Sequence, residues 1–148
     1  MKINRTKELA IKLMKENKLT GWRLHFDNAH KRFGRCNYRL KQINLSAILV
    51  KLNDEPVVTD TILHEIAHAI IGPGNGHNRK WEIAAISIGC NAERCYGEEV
   101  IMPQATFTGT CPTCKNTVQR YIRRNLLACG KCCKGKHNSK HVFVWSRN

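Results

Sequence analysis

Asp60-Thr61-Ile62-Leu63-His64-Glu65-Ile66-Ala67-His68-Ala69-Ile70-Ile71 runs without a break into Gly72-Pro73-Gly74-Asn75-Gly76-His77. The first part has the period of a helix: Val58, Ile62, Leu63, Ile66 and Ile70 form a broad apolar face. Asn53 or Asp54 can cap its start, Pro56 is tolerated in its first turn, and Gly72 ends it. So apolar a helix belongs in the interior. His64 and His68 are four residues apart, so both imidazoles project from one face and can reach a single tetrahedral Zn²⁺. Glu65, beside the first histidine, can reach a zinc-bound water and act as its general base, while the metal lowers that water's pKa toward ~7. A chance placement of these three groups would instead bury charge-capable side chains without a partner, which is costly.

An open catalytic zinc site needs a third protein ligand and a fourth position for water. His77, Glu82 and Glu93 are the candidates. The longer pattern H-E-x-x-H-x-x-G-x-x-H requires glycine and histidine where this chain has Ile71 and Gly74, so a loop must supply the ligand. His77 is favoured: it follows the glycine loop that reverses the chain. It also precedes by one turn Trp81, which with Ala84, Ala85 and Ile88 marks the inward face of a second buried helix ending at Gly89. Glu82 falls one position off that face and serves as the fallback, or as a partner that orients a ligand. His25 and His30 read as surface residues.

Working back toward the N-terminus, Leu9, Ala10, Leu13 and Met14 share one face of a helix spanning about 6–17, with Asn4 or Thr6 as its cap. Trp22, Leu24 and Phe26 alternate with Arg23, His25 and Asp27 as a half-buried strand, and a turn follows at Asp27-Asn28. Further short strands, one around Phe33–Tyr38 with a bend at Gly34 and one around Gln42–Ser46, complete a small antiparallel sheet.

Working forward, the polar stretch Pro103–Thr110 separates the helices from a cysteine cluster. Cys111-Pro-Thr-Cys114 and Cys129-Gly-Lys-Cys132 are two C-x-x-C knuckles spaced to converge on one structural Zn²⁺. Strand-like segments at 117–122 and 141–145 fit a small zinc ribbon, and a segment of roughly 40 residues needs such a metal because it cannot build an adequate core alone. Cys133, His137 and His141 could substitute for a ligand; Cys133 is read as a spare. Cys36, Cys90 and Cys95 read as small buried residues.

The 148 residues carry 25 Lys and Arg against 11 Asp and Glu, net +14. The excess is uneven: net +8 over 1–56, −3 over 57–105, and +9 over 106–148, where there is no acid at all. Arg120, Arg123, Arg124, Lys131, Lys134, Lys136 and Lys140 lie beside Tyr121, Phe143 and Trp145, a mixture suited to phosphate contact and base stacking. Each aromatic taken alone reads rather as ribbon core. The division is therefore 1–105, holding the histidine site, and 106–148, the ribbon. No apolar run approaches the roughly 20 residues a bilayer needs, and the N-terminus is interrupted by Lys and Glu. With eight cysteines and no secretion signal, a reducing cytoplasm and metal-bound thiols are expected rather than disulfides.

His64-Glu65-Ile66-Ala67-His68 with Gly76-His77 and Trp81, preceded by Phe26-Asp27-Asn28 and Arg32-Phe33-Gly34-Arg35-Cys36, resembles the SprT-like family of zinc metallopeptidases. The resemblance runs from about Trp22 into the cysteines. It implies an α+β zincin-like domain in which His64, His68 and His77 bind zinc and Glu65 is catalytic, followed by a ribbon associated with nucleic acid. Members commonly carry glycine directly after the third histidine; this chain has Asn78. The family includes a DNA-dependent protease, which implies protein substrates bound to DNA. The two donor sets predict two zincs per chain, and the free thiols a cytoplasmic or nucleoid-associated location. A monomer is expected. Two other readings compete: a DNA- or RNA-binding zinc protein with a vestigial peptidase site, and a zinc hydrolase acting on a non-protein substrate.

Overall fold

The computed structural model describes every residue except Arg94, Cys95, Tyr96 and Glu98. The reading of Cys95 as a small buried residue lies outside the described residues. The chain forms two compact units, Met1–Pro103 and Gln104–Asn148.

The first unit opens with α1 (Ile3–Glu16), which buries Thr6, Ala10 and Met14. It starts ahead of its expected caps: Lys2 is the N-cap without a side-chain bond, and Thr6, already inside, donates its Oγ1 back to the Lys2 carbonyl at 3.1 Å. Three strands follow, β1 (Arg23–Asp27), β2 (Gly34–Asn37) and β3 (Gln42–Ser46), in the order β1-β3-β2. The sheet is mixed: β2 pairs antiparallel with β3, but β1 pairs parallel with it, from Arg23 opposite Gln42 to Asp27 opposite Ser46. This corrects the all-antiparallel expectation. A parallel pair needs a crossover of about a dozen residues or more, and 28–41 supply it by carrying the chain past β3 to the far edge before it returns. The crossover is pinned where Ala29 N–H bonds Asp27 Oδ1 (3.0 Å), Arg32 pairs with Asp27, and Ser46 N–H bonds the carbonyl of fully buried Phe33 (2.8 Å).

A short helix α2 (Ala47–Leu52) comes directly off β3, with Ser46 Oγ accepting from Leu49 N–H at 3.1 Å. It is absent from the sequence reading because six residues are too few to show a helical period. Asn53, at its C-cap, is buried and bonds Leu49 and both backbone groups of Ile101, while Asp54 caps α3 (Glu55–Ile71). α3 is central. Val58, Ile62 and Ile66 join the sheet, α1 and α2 in one core, while Leu63 and Ala67 join Trp81, Ala85 and Cys90 in a second. Each fully buried aliphatic chain contributes about 1.5–3 kcal/mol, so α3 is fixed from two sides. Gly72, at φ 76, stops it, and α4 (Arg79–Ser87) follows the glycine loop.

The second unit is a three-stranded antiparallel sheet of β4 (Phe107–Thr110), β5 (Thr117–Arg120) and β6 (Val144–Arg147), ordered β5-β4-β6. One helical turn, α5 (Gly130–Cys133), and a 3₁₀ turn, Ser139–His141, lie between β5 and β6. Its buried core is Cys111, Cys129 and Phe143. The Trp145 ring packs so closely on Gly109 that a Cβ there would sit 2.9 Å from it. The architecture is α+β, and the C-terminal cysteine cluster is compatible with a zinc ribbon. Among the described residues no helix is long and apolar enough to cross a membrane.

Candidate active site and metal centres

His64 and His68 stand on the last two turns of α3, half-buried, and His77 comes from the loop before α4. The His77 Nε2 lies 2.9 Å from that of His64 and 3.1 Å from that of His68. Zinc–nitrogen bonds of ~2.0–2.1 Å in a tetrahedron place neighbouring nitrogens ~3.3 Å apart, so the three donors fit one shared ion. Burial, reinforced by the neighbouring imidazoles, pushes His64 and His68 down to about 4. They are therefore neutral at pH 7, the form that binds metal.

Two features outside the ligands shape this arrangement. Trp81 packs against all three imidazoles, with centroids 4.7 Å from His64, 5.4 Å from His68 and 4.6 Å from His77. Its signal in the sequence was its helical spacing from His77, but that spacing showed only burial, not contact with every ring. Asn78 is the N-cap of α4, its side chain accepting from Lys80 and Trp81 N–H at 3.0 and 3.2 Å. Asn78 thus holds the start of the helix that carries Trp81.

Glu65 is buried, and its side chain meets strand β2 at Gly34. Burial raises its carboxyl to about 7, against the opposing effects of the Cys36 backbone N–H, which donates to it, and the Arg32 charge. Gly34 makes room for it: a Cβ at Gly34 would lie 2.5 Å from Glu65 Oε1 and 2.7 Å from its Cγ. The bend assigned to Gly34 in the sequence is in fact a close approach of strand to carboxylate. Glu65 and the three histidines line one open cavity of about 830 Å³, together with Cys36 and Tyr38. Burial likewise pushes the half-buried Cys36 thiol and the Tyr38 phenol up to about 12. Cys90 is fully enclosed in the α3–α4 core.

The alternative third ligands fall elsewhere. Glu82 pairs with Arg79 at 2.9 Å, and Glu93 lines the cavity without joining the three converging donors.

In the second unit, Cys111, Cys114, Cys129 and Cys132 bring their sulfurs within 4.8 Å of one another. The Sγ atoms of Cys111 and Cys132 are 3.9 Å apart and those of Cys114 and Cys129 3.6 Å. A tetrahedral zinc with bonds of ~2.3 Å requires ~3.8 Å between sulfurs. Cys133 sits outside this group, its Sγ near the Asn138 carbonyl; His137 faces the Leu126 carbonyl and His141 the Thr113 hydroxyl. Arg123, Arg124, Lys131, Lys134, Lys136 and Lys140 are exposed and Arg120 is half-buried. Phe143 is core, which removes it from base stacking. Arg123 lies over the Phe107 ring at 5.0 Å.

The chain belongs to the SprT-like family, whose family model matches residues 4–102. Comparison with curated proteins gives no match. Among solved structures, it is similar to the metallopeptidase zymogen jannalysin of Methanocaldococcus jannaschii, at 18% identity over 60% of this chain and 85% of that one, with a TM-score of 0.50. At that identity the likeness concerns the fold.

Proposed function

We propose that this chain is a zinc metallopeptidase that cleaves proteins associated with nucleic acid. The observation that carries the reading is the convergence of three histidine Nε2 atoms in the lining of a cavity that also holds a buried carboxyl. His64, His68 and His77 would hold the ion. A zinc bound there supplies a water acidified toward ~7 and polarises the scissile carbonyl. Glu65 takes the proton of the attacking water on its carboxylate and hands it to the departing amide nitrogen. Burial raises this carboxyl above the ordinary glutamate range, which favours its holding the proton between the two transfers. The Cys36 N–H and the flush fit against Gly34 keep its oxygens in one place. Trp81 keeps the three imidazoles from turning away.

The second unit would hold a closed Cys₄ zinc and bring the enzyme to DNA or RNA. In support, it carries nine Lys and Arg from 106 onward and no acid to neutralise them. A basic module of this kind raises the concentration of enzyme near its target without any new contact at the cleavage site.

Zinc per chain, measured on the wild type and on His64→Ala/His68→Ala, tests the metal assignment: two should fall to one. Cleavage of a DNA-binding protein, with and without DNA, then tests the activity against Glu65→Gln. If instead the folded double variant keeps the wild-type zinc content, and DNA binding alone survives, the protein is a nucleic-acid-binding module with an idle peptidase fold.

A further inference from the structure

A second concavity, of about 560 Å³, lies between α1 and β1 and shares no lining residue with the histidine cavity. Its floor is apolar, formed in part by Trp22 and Leu24, with Ile11 half exposed at the lip. Among the described residues its only charged lining groups are cations: Lys7, Lys15, Lys18 and Arg23, all exposed. Neighbouring cations are neutralised, Arg5 by Glu55 and Lys12 by Glu16, but these four take part in no ion pair among the described residues. The groove thus has a positive rim with nothing of opposite sign to answer it.

One wall adds a second kind of complementarity. β1 is an edge strand: it pairs with β3 on one side and, among the described residues, with no strand on the other. Alternate residues of a parallel strand bond to the same neighbour. Arg23 donates its N–H to the Lys41 carbonyl at 2.9 Å, so Leu24 and Phe26 turn their backbone N–H and C=O toward the open edge. An unpaired row of donors and acceptors is a template for one more strand.

We infer that the α1–β1 groove is a docking site for an extended acidic segment of a partner protein, which adds a strand to β1, sets alternate aliphatic side chains on Trp22 and Leu24, and places carboxylates against Lys7, Lys15, Lys18 and Arg23. A single strand of nucleic acid would satisfy the charges but not the backbone edge. With 11 acids against 25 bases, the chain is poorly supplied to fill the groove from a second copy of itself.

The test uses the full chain and a fluorescein-labelled eight-residue peptide alternating glutamate with valine, read by anisotropy. Lys15→Glu/Lys18→Glu, at exposed positions and with folding checked by circular dichroism, should weaken binding by about tenfold or more. Lys134→Glu/Lys136→Glu, in the basic second unit, should leave it within about twofold, which separates the groove from general attraction to a cationic protein. A peptide N-methylated at alternate backbone positions, unable to pair as a strand, should also bind about tenfold more weakly. Hydrogen exchange at Leu24 and Phe26 should slow when the unmodified peptide is present. Equal affinity for the wild type and Lys15→Glu/Lys18→Glu overturns the proposal, as does equal affinity for the N-methylated peptide. A single-stranded oligothymidylate that loses affinity for that variant while the peptide does not would make the groove a nucleic-acid surface instead.

Discussion

The histidine site gathers three donors and the cysteine site four, each spaced to fit one tetrahedral ion, but they stand in opposite relation to the cores around them. His64 and His68 ride on a helix that is clamped between two apolar clusters, and ten buried residues of the larger cluster include none of the three histidines. In the second unit the buried core is three residues, and two of them, Cys111 and Cys129, are themselves candidate ligands. A metal at the first site would be a guest on a finished scaffold; at the second it would be part of the scaffold. A catalytic metal must exchange ligands and leave a position open, which a surrounding fold independent of it permits. A structural metal has no such need, and supplies the stability that roughly 45 residues of chain cannot.

The sharpest way to break this contrast is to remove metal. Chelation should unfold Gln104–Asn148 while leaving Met1–Pro103 folded, observed residue by residue as hydrogen-exchange protection lost in one unit and kept in the other. Cys129→Ser should do the same to the second unit alone. Persistence of the β5-β4-β6 sheet without metal would show that the two sites do not differ in this way.

Next in size is Glu65→Gln, which should lower peptidase turnover by about 10²–10⁴-fold while the zinc content stays that of the wild type. Loss of zinc together with activity would mean that the carboxylate is needed to build the site rather than to run it.

Gly34→Ala probes the same carboxyl from the strand side. Its Cβ would overlap Glu65 Oε1, and displacing the carboxyl by about 1 Å should cost up to about a hundredfold in kcat, with zinc content unchanged. Wild-type kcat would show that β2 yields freely and does not position Glu65.

In the metal-free protein, the effect of Glu65→Gln on stability should depend on pH. Folding raises this carboxyl from 4.5 to about 7, so the folded state binds the proton more tightly than the unfolded chain. The corresponding stability is fully present below pH 4.5 and is lost as pH rises through 7. Glutamine, which never ionises, should therefore raise the melting temperature at pH 8 relative to wild type and lose that advantage near pH 4.5. A gain independent of pH would assign it to packing.

The smallest expected effect sharpens the role of Asn78. Asn78→Ala should destabilise the first unit by about 1 kcal/mol, whereas Asn78→Gly should cost only a few tenths, measured by denaturant unfolding. Equal losses would mean that the side-chain cap on Lys80 and Trp81 contributes nothing.

Much of the histidine site was legible in the chain because its logic is local. The spacing of His64 and His68 places both on one face of any helix, and a glycine loop followed by His77 and a helix returns a third imidazole to that face. The four cysteines were legible for the same reason. What the sequence did not show depended on segments distant from one another. α2 was too short to have a period. The parallel pairing of β1 with β3 depends on where a 14-residue crossover lands, and no residue in β1 records it. Trp81 was visible as a buried face but not as a platform under three rings. The readings of 120–140 as a nucleic-acid surface rest on charge, which marks attraction but not geometry, and only the packing showed that Phe143 and, in part, Trp145 are already used inside.

The amino-acid sequence by itself determined the donors, their spacing along each helix or knuckle and the sign of the charge in each region, because these are set by the period of local structure and by composition. Only the tertiary structure decided what surrounds them. Whether Glu65 titrates near 7, whether Gly34 is a bend or a contact, and which edge of the sheet stays open all follow from packing between segments far apart in the chain, where burial and close approach act and local propensity has no say.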